Sequence, residues 1–243
     1  MQRLANDEPV SVQFFDQAFM WRVFYVFAAL ALVSIAISVA GRYAGRSIAM
    51  AGHTDDRSVA EIVIGNNVIV APRNMIRFDS ARQSGVAAKL DLYMRWPDMA
   101  GYSNESRDDF NHAGRESNIL FMSIAERIMS RDMSGRYAPI YTQLIEPTGT
   151  PAEGGLTMHR FTERSGYQNE ILMTAERPGE TPYVARCLDG EAAAQSLAPC
   201  ERDIHVGDAL SLTYRFPREL LAEWKALDAA VVARFGVLLK TAR

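Results

Sequence analysis

The residues best suited to chemistry collect in one polar stretch, residues 98–117, which contains five carboxylates and one histidine. If residues 108–112 form a helical turn, Asp108 and His112 share one face, where they could orient each other for proton transfer or hold a cation. Charged residues in a solvated surface loop need no such role. The stretch therefore predicts either a binding site at Asp108 and His112 or a plain polar loop.

No catalytic or metal-binding motif appears elsewhere in the sequence. The four histidines lie in no HExxH or paired arrangement, and there is no G-x-S-x-G elbow, glycine-rich phosphate loop or C-x-x-C motif. We therefore expect no catalytic residue that belongs to a known motif, no metal site and no cofactor. The net charge of -3 and the scattered arginines argue against a nucleic-acid partner, since phosphate binding needs clustered basic charge.

Trp96 is a further candidate for binding, because it stands beside Pro97 at the end of a predicted strand, residues 86–95. The proline ends the strand, since it lacks the N–H group that a ladder requires. An indole at such a position either completes the edge of the core or lies on a binding surface. Both interpretations stay open.

The only two cysteines, Cys187 and Cys200, bracket a loop-like segment, residues 188–199. An even pair around one loop predicts a disulfide, which would contribute about 3 kcal/mol by the chain-entropy model. Because disulfides persist outside the cytosol, the pair also indicates an oxidising compartment. The alternative is two unpaired thiols buried in a cytosolic domain.

An uncharged apolar run at residues 23–40 is the element that could anchor the rest of the chain at a membrane. As a helix it would extend roughly 27 Å, close to the thickness of the hydrocarbon core of a bilayer. Arg22 and Arg42 flank it, and aromatic residues lie at both ends, as interfacial anchors do. We predict a transmembrane helix that begins near Ser11, within a lead-in of residues 1–22. A buried core helix and a cleaved signal peptide are the alternatives.

The orientation of the span depends on the cysteines, because the basic residues on its two sides nearly balance. The predicted disulfide places the N-terminus in the cytoplasm and the domain in the periplasm, as a single-pass protein of the bacterial inner membrane. Small residues at helical spacing predict a face for another helix, from a protein partner or a second copy, with lipid exposure as the alternative. These residues are Ser34, Ser38, Gly41 and Gly45.

Residues 41–57 contain charges and glycines without a sustained period, which predicts a linker to one globular domain, residues 58–243. Around Gly65, two β-branched runs predict a hairpin, or one strand with a bulge. Three strand-like runs between residues 156 and 188 are joined by short turns, as in an antiparallel meander. The domain is therefore predicted to be mostly antiparallel sheet.

The C-terminal region has the clearest pattern. Residues 210–216 alternate strictly between apolar and polar, which predicts a half-buried strand. After Pro217, apolar residues recur every three or four positions and predict an amphipathic helix of about 22 residues packed on the sheet. Residues 118–128 favour a strand by composition, whereas residues 137–145 fit strand or helix. The predicted fold class is α+β: a transmembrane helix, then an antiparallel sheet with a C-terminal helix on it.

Three functions fit these patterns. We favour a non-catalytic, membrane-anchored periplasmic protein that binds another protein or serves as an accessory subunit of an envelope complex. The alternative is an anchored periplasmic hydrolase or metal-dependent enzyme with its site in residues 98–117. A small-ligand sensor that reports across the membrane would need a partner, since the lead-in is too short for an output domain.

Overall fold

The computed structural model describes residues 17–50, 52–111 and 118–241. The chain divides into two compact units, Met1–Ala51 and Gly52–Arg243. The first unit contains the predicted span, and the second contains the predicted globular domain.

Helix α1, Gln17–Met50, contains a 23-residue segment, Gln17–Val39, that is long and apolar enough to cross a membrane. The large apolar side chains of the segment Gln17–Val39 are exposed, whereas the core helix of a soluble protein would bury them. The helix therefore fits the predicted span better than a buried core helix. It also includes residues 41–50, the first part of the predicted linker. The predicted helix start near Ser11 lies outside the described residues.

The described part of the second unit consists of β-strands and mostly short helices. The strands are β1 Val59–Ile64, β2 Asn67–Pro72, β3 Gly85–Val86, β4 Lys89–Arg95, β5 Ile119–Glu126, β6 Thr150–Pro151, β7 Thr157–Arg160, β8 Glu170–Ala175, β9 Tyr183–Leu188, β10 Cys200–Val206 and β11 Leu210–Phe216. The α-helices are α2 Arg107–Phe110, α3 Met133–Arg136, α4 Thr142–Leu144, α5 Gly190–Ala194 and α6 Trp224–Leu238. A π-helical turn, Tyr137–Tyr141, joins α3 to α4.

A large antiparallel sheet organises this unit, with the strand order β4-β5-β11-β10-β9-β8-β7-β6. Strands β6 to β11 follow one another as a meander, and β11 then returns to pair with the β4–β5 hairpin. The predicted three-strand meander is confirmed as part of this longer one. A small sheet, order β2-β1-β3, contains the predicted hairpin, whose turn is Gly65 and Asn66. The fold class is α+β, as predicted.

One face of the large sheet carries the main core, which β1, β2 and α6 cover. The apolar stripe of the predicted C-terminal helix is buried there: Leu220, Leu221, Trp224, Leu227, Val231, Phe235 and Leu238. The α-helix has 15 residues, fewer than predicted, because Arg218–Glu223 forms a 3-10 turn. At this turn Gly154 approaches so closely that a Cβ on it would lie 2.7 Å from the carbonyl oxygen of Leu221.

The two segments with ambiguous periodicity differ in the structure. Strand β5 confirms the interpretation of residues 118–128 as strand. Residues 137–144 are helical, with the π-helical turn followed by α4, and Ile145 is extended. This segment buries Tyr141 in a small second core with Leu172 and Val184, on the opposite face of the large sheet from the main core. Packing against the sheet therefore determines that this segment is helical, whereas its periodicity fits strand and helix equally well.

The polar stretch at residues 98–117 is more ordered than its sequence indicates. Ser103 and Ser106 form a capping box at the start of a 3-10 turn that leads into α2. Phe110 at the end of α2 is buried, with its ring 4.9 Å from the ring of Tyr93. Within the described part of the stretch, buried aromatic residues therefore hold the polar chain against the domain.

The predicted disulfide between Cys187 and Cys200 is confirmed, and it lies where the large sheet is nearly divided. Strands β9 and β10 pair at these cysteines and at the adjacent Arg186 and Glu201, and their ladder does not continue further. Both cysteines are fully buried. The disulfide therefore joins the two parts of the sheet at the short segment where they still pair.

The side chain of Arg202 fills the gap beyond the disulfide. Its guanidinium donates to the carbonyl oxygen of Val184 at 2.9 Å and to the hydroxyl of Ser134 at 2.8 Å. On the core side its Nε donates to Asp228 of α6 at 3.0 Å, and the hydroxyl of Tyr214 donates to the same carboxylate oxygen at 2.7 Å. Arg202 is 2% exposed. At this gap, hydrogen bonds of the Arg202 side chain rather than a backbone ladder thus connect β9 and β10.

His159 on β7 should make stability depend on pH. Its Nε2 lies 3.2 Å from the hydroxyl of Thr174, and burial lowers the pKa of the imidazole below 6.5, although the backbone of Glu146 opposes this effect. The unfolded chain therefore binds the proton first, so this contribution to stability is present above pH 6.5 and is lost as the pH falls below it. In unfolding experiments between pH 7.5 and 5, we expect wild type to lose more stability than His159→Gln. Parallel losses would contradict this assignment.

Candidate functional site

The face of the large sheet opposite the main core is only partly covered. Residues 133–145 pack over β8 and β9, and the disulfide-bracketed loop lies beside the end of β11. Between them, alternate side chains of β5, β11 and β10 point outward and remain accessible, since strand side chains alternate between faces. They are Phe121, Ser123, Ser211, Thr213, Arg215, Glu201, Asp203 and His205.

Strand register arranges some of these side chains in a row. Phe121 lies opposite Arg215, Arg215 opposite Glu201, and Glu201 opposite Arg186 of β9. Directly opposite residues in an antiparallel pair have their Cβ atoms about 4.5–5.5 Å apart, so that neighbouring side chains can contact each other. Across the open face, an aromatic, a basic, an acidic and a second basic side chain therefore lie side by side on neighbouring strands.

The charges at the β9 end of this face are paired with one another. Arg186 forms ion pairs with Glu201 and, at 2.7 Å, with Glu170, while Arg136 of α3 pairs with Asp203. Burial raises the pKa of Glu170 and of Asp203, although the facing arginines oppose this effect. These groups therefore form a polar network of two arginines and three carboxylates that braces α3 and β8 to β10.

At the β4 end lies a cavity of about 380 Å³, which we call the open-face cavity. Strands β4, β5 and β11 form its floor, and the residues before β4 and in the disulfide-bracketed loop form its walls. Its charged lining residues are Arg77, Lys89, Arg215 and Asp91. The volume lies within the range of about 300–1,000 Å³ that small binding sites occupy.

The two arginines of the open-face cavity are held without carboxylate partners. The guanidinium of Arg77 lies 4.8 Å from the centre of the Phe121 ring, and that of Arg215 donates to the carbonyl oxygen of Ala198 at 3.2 Å. Among the described residues neither arginine forms an ion pair. Lys89 instead pairs with Asp91 at 3.0 Å. The cavity is therefore positively charged in a chain whose net charge is -3.

Exposed apolar side chains lie at both ends of the open face. Phe78 and Leu197 beside the cavity are each 48% exposed, and Ile128 and Met129 at the other end are 94% and 51% exposed. Apolar side chains that remain exposed beside polar ones are a feature of surfaces that bind other proteins. The shape and composition of this face therefore fit a protein-binding surface.

The carboxylates of the predicted polar site are mostly engaged or solvated. Asp98 and Asp109 both pair with Arg95, which holds the pKa of Asp98 below its usual range. Asp108 lies on α2 with its side chain 80% exposed, 3.7 Å from Arg107. His112 lies outside the described residues, so its pairing with Asp108 stays a prediction. In the described parts of the chain, no three His, Cys, Asp or Glu side chains are grouped to hold a metal ion.

The remaining predicted residues do not line the open-face cavity. Trp96 is half-buried and packs against the main core, while its backbone N–H donates to the carbonyl of Asn118 at 2.7 Å. Its role as a binding residue stays a prediction. So does the packing role of the small residues on α1, which are Ser34, Ser38, Gly41 and Gly45.

Sequence reasoning missed Arg77, Phe121 and Arg215, although part of the signal was present. The strict alternation of residues 210–216 already places Arg215 on the polar face of its strand. Phe121 alternates with buried Leu120 and Met122, which marks an aromatic ring on that same polar face. Their proximity required the pairing of β5 with β11, which local pattern does not show.

Comparison with solved structures finds an immunity protein of the Stenotrophomonas maltophilia type IV secretion system, with a TM-score of 0.50 and 15% identity, covering 76% of this chain and 94% of that one. The Neisseria meningitidis iron-regulated outer membrane lipoprotein FrpD aligns with a TM-score of 0.40 and 9% identity, covering 76% and 95%. Neither a protein-family profile nor a curated protein matches the sequence. The similarity to the immunity protein, at this identity, shows a shared fold.

Proposed function

We propose that this protein is a non-catalytic, membrane-anchored protein of the bacterial envelope whose periplasmic domain acts by binding another protein. The open face of the large sheet carries this proposal, because it combines a charged cavity with exposed apolar residues at both ends. Such a surface offers both desolvation energy and directional polar contacts to a protein partner. Helix α1 would hold the domain at the inner membrane.

Two further observations support the compartment and the class of function. A buried disulfide is typical of proteins outside the reducing cytosol, which supports a periplasmic domain. The fold is shared with an immunity protein of a secretion system, which supports a role in binding rather than in catalysis. An immunity role is the narrower form of the proposal.

Purification of the tagged full-length chain in mild detergent tests the proposal. We expect a second protein to remain bound in a fixed ratio through size-exclusion chromatography, since the accessible face would be covered in the complex. The same chain with the tag at its other end serves as a control for effects of the tag. Recovery of the chain alone and monomeric from both preparations would contradict a binding function.

The orientation has its own test in reporter fusions. Alkaline phosphatase fused after Arg243 should be active, because that enzyme needs the oxidising periplasm to form its disulfides. The matched fusion before Met1 should be inactive. The reverse pattern would place the domain in the cytoplasm and would remove the support that the disulfide lends to the proposal.

A further inference from the structure

We infer that the open-face cavity binds an acidic segment of the protein partner, with the partner's carboxylates seated between Arg77 and Arg215 and its apolar side chains on Phe121 and Leu197. This inference rests on the proposed function and adds the surface and the chemistry of the partner. The cavity, its charges and its aromatic floor belong to three strands, the segment before β4 and the disulfide-bracketed loop, all within the same unit.

Charge complementarity is the first reason. The cavity has three basic side chains and one acidic one, and Lys89 and Asp91 already neutralise each other. This leaves Arg77 and Arg215 as its unpaired charges among the described residues. A guanidinium presents a planar fork that matches a carboxylate, so arginines without ion pairs in a concave site select acidic side chains.

The aromatic floor is the second reason. Arg77 lies over the Phe121 ring at 4.8 Å and near the Phe78 ring at 5.1 Å, so its guanidinium is oriented before any partner arrives. Phe78 and Leu197 are each about half exposed at the edge of the cavity. A segment with acidic and apolar side chains would neutralise the arginines and cover these residues together.

The wall of the cavity is the third reason, because it is fixed in place. Residues 195–198 belong to the loop that the Cys187–Cys200 disulfide closes, and Arg215 bonds to the carbonyl of Ala198. Binding to a preformed site loses little free energy in ordering the side chains and loops of that site. The other end of the open face has its charges paired internally, so the cavity is where a partner's charge is accommodated.

Site-specific photocrosslinking in cells tests where the partner binds. A photoreactive phenylalanine analogue replaces Leu197 at the cavity or, as a matched control, Val232 on α6, since these residues are 48% and 49% exposed. We expect a protein crosslink at position 197 that is absent at position 232, with the crosslinked segment rich in Asp and Glu beside apolar residues. A crosslinked segment without carboxylates, or a crosslink to phospholipid, would overturn the inference.

Binding measurements then test the role of charge. A synthetic peptide of the crosslinked segment is titrated against the full-length chain in detergent. Arg77→Glu should raise Kd by roughly tenfold or more, and added salt should weaken binding to wild type. Arg164→Glu, the same change at an exposed arginine that does not line the cavity, should leave Kd unchanged. Exchanging one peptide carboxylate for lysine should restore affinity for Arg77→Glu, and equal Kd values for all chains would refute the acidic-segment inference.

The outcomes separate this inference from the proposed function. If position 197 captures nothing while the detergent-purified chain retains a partner, the function stands and the cavity is the wrong surface. If the chain also purifies alone and monomeric, both fail. Because Arg77 and Arg164 are exposed, thermal unfolding of each variant should match wild type, which shows that any change in Kd reflects binding.

Discussion

Replacing Asp228 with asparagine should lower the free energy of unfolding by about 3 kcal/mol, because it leaves Arg202 as a buried charge without a carboxylate. Arg202 is 2% exposed and the side chain of Asp228 is 13% exposed, so water can replace little of the lost interaction. Asp228 also accepts from Tyr214 and pairs with Arg177 at 3.3 Å. One substitution therefore weakens contacts among β10, β11 and α6.

The pKa shifts in this network agree with that expectation. Burial alone would lower the pKa of Arg202, but the facing Tyr214 and Asp228 raise it above its ordinary value. Burial raises the pKa of Tyr214 and of Tyr183, so both remain protonated hydroxyls. The Asp228 carboxylate therefore pairs with the guanidinium groups of both Arg202 and Arg177, and removing its charge leaves the buried charge of Arg202 unbalanced.

Denaturant unfolding of the full-length chain in detergent, followed by near-ultraviolet circular dichroism, measures this effect. Asp108→Asn is the matched control, since its side chain is 80% exposed and should change stability by less than about 0.5 kcal/mol. The double variant Arg202→Met with Asp228→Leu should recover part of the loss, because it removes both buried charges. A loss below about 1 kcal/mol for Asp228→Asn would show that the network is dispensable.

Removing the disulfide should cost about 3 kcal/mol, since the bond closes a loop with a sequence separation of 13. The effect should also be local, because β9 and β10 pair at only Cys187 with Cys200 and Arg186 with Glu201. Without the bond, β9 and β10 are still joined by their short ladder, by the ion pair between Arg186 and Glu201 and by the hydrogen bonds of Arg202. We therefore expect the backbone amides of β9 and β10 to exchange faster than those of β5 and β11.

The test compares wild type with the variant in which both cysteines are alanine, by denaturant unfolding and hydrogen exchange in the same detergent. Reduced and alkylated wild type controls for the covalent bond itself. On non-reducing gels the wild type should migrate faster than the single variant Cys187→Ser. Equal mobility, together with unchanged stability of the double variant, would mean that the bond does not form.

The disulfide also connects stability to the open-face cavity. Leu197 and Ala198, which form part of the cavity wall, lie within the loop that it closes. Loss of the bond should therefore weaken binding of an acidic segment even where the domain stays folded. The cysteines that indicate the compartment thus also shape the surface through which we propose the domain acts.

Local sequence pattern alone determined several features. The uncharged run at residues 23–40 predicts a helix that is apolar on every side, since an isolated segment in lipid would satisfy its backbone only as a helix, and α1 confirms the helix. The alternation of residues 210–216 and the apolar stripe after Pro217 predict β11 and α6, since burial on one face requires those periods. Two cysteines in the whole chain leave only one disulfide to predict.

Only the tertiary structure decided which distant segments meet. The pairing of β11 with β5 brings Arg215 opposite Phe121 and so creates the open-face cavity. The same packing makes residues 137–144 helical and places Arg202 in the gap of the sheet beside Asp228. Local periodicity reports which face of an element is buried, but not which other element buries it, because that choice depends on contacts between residues far apart in the chain.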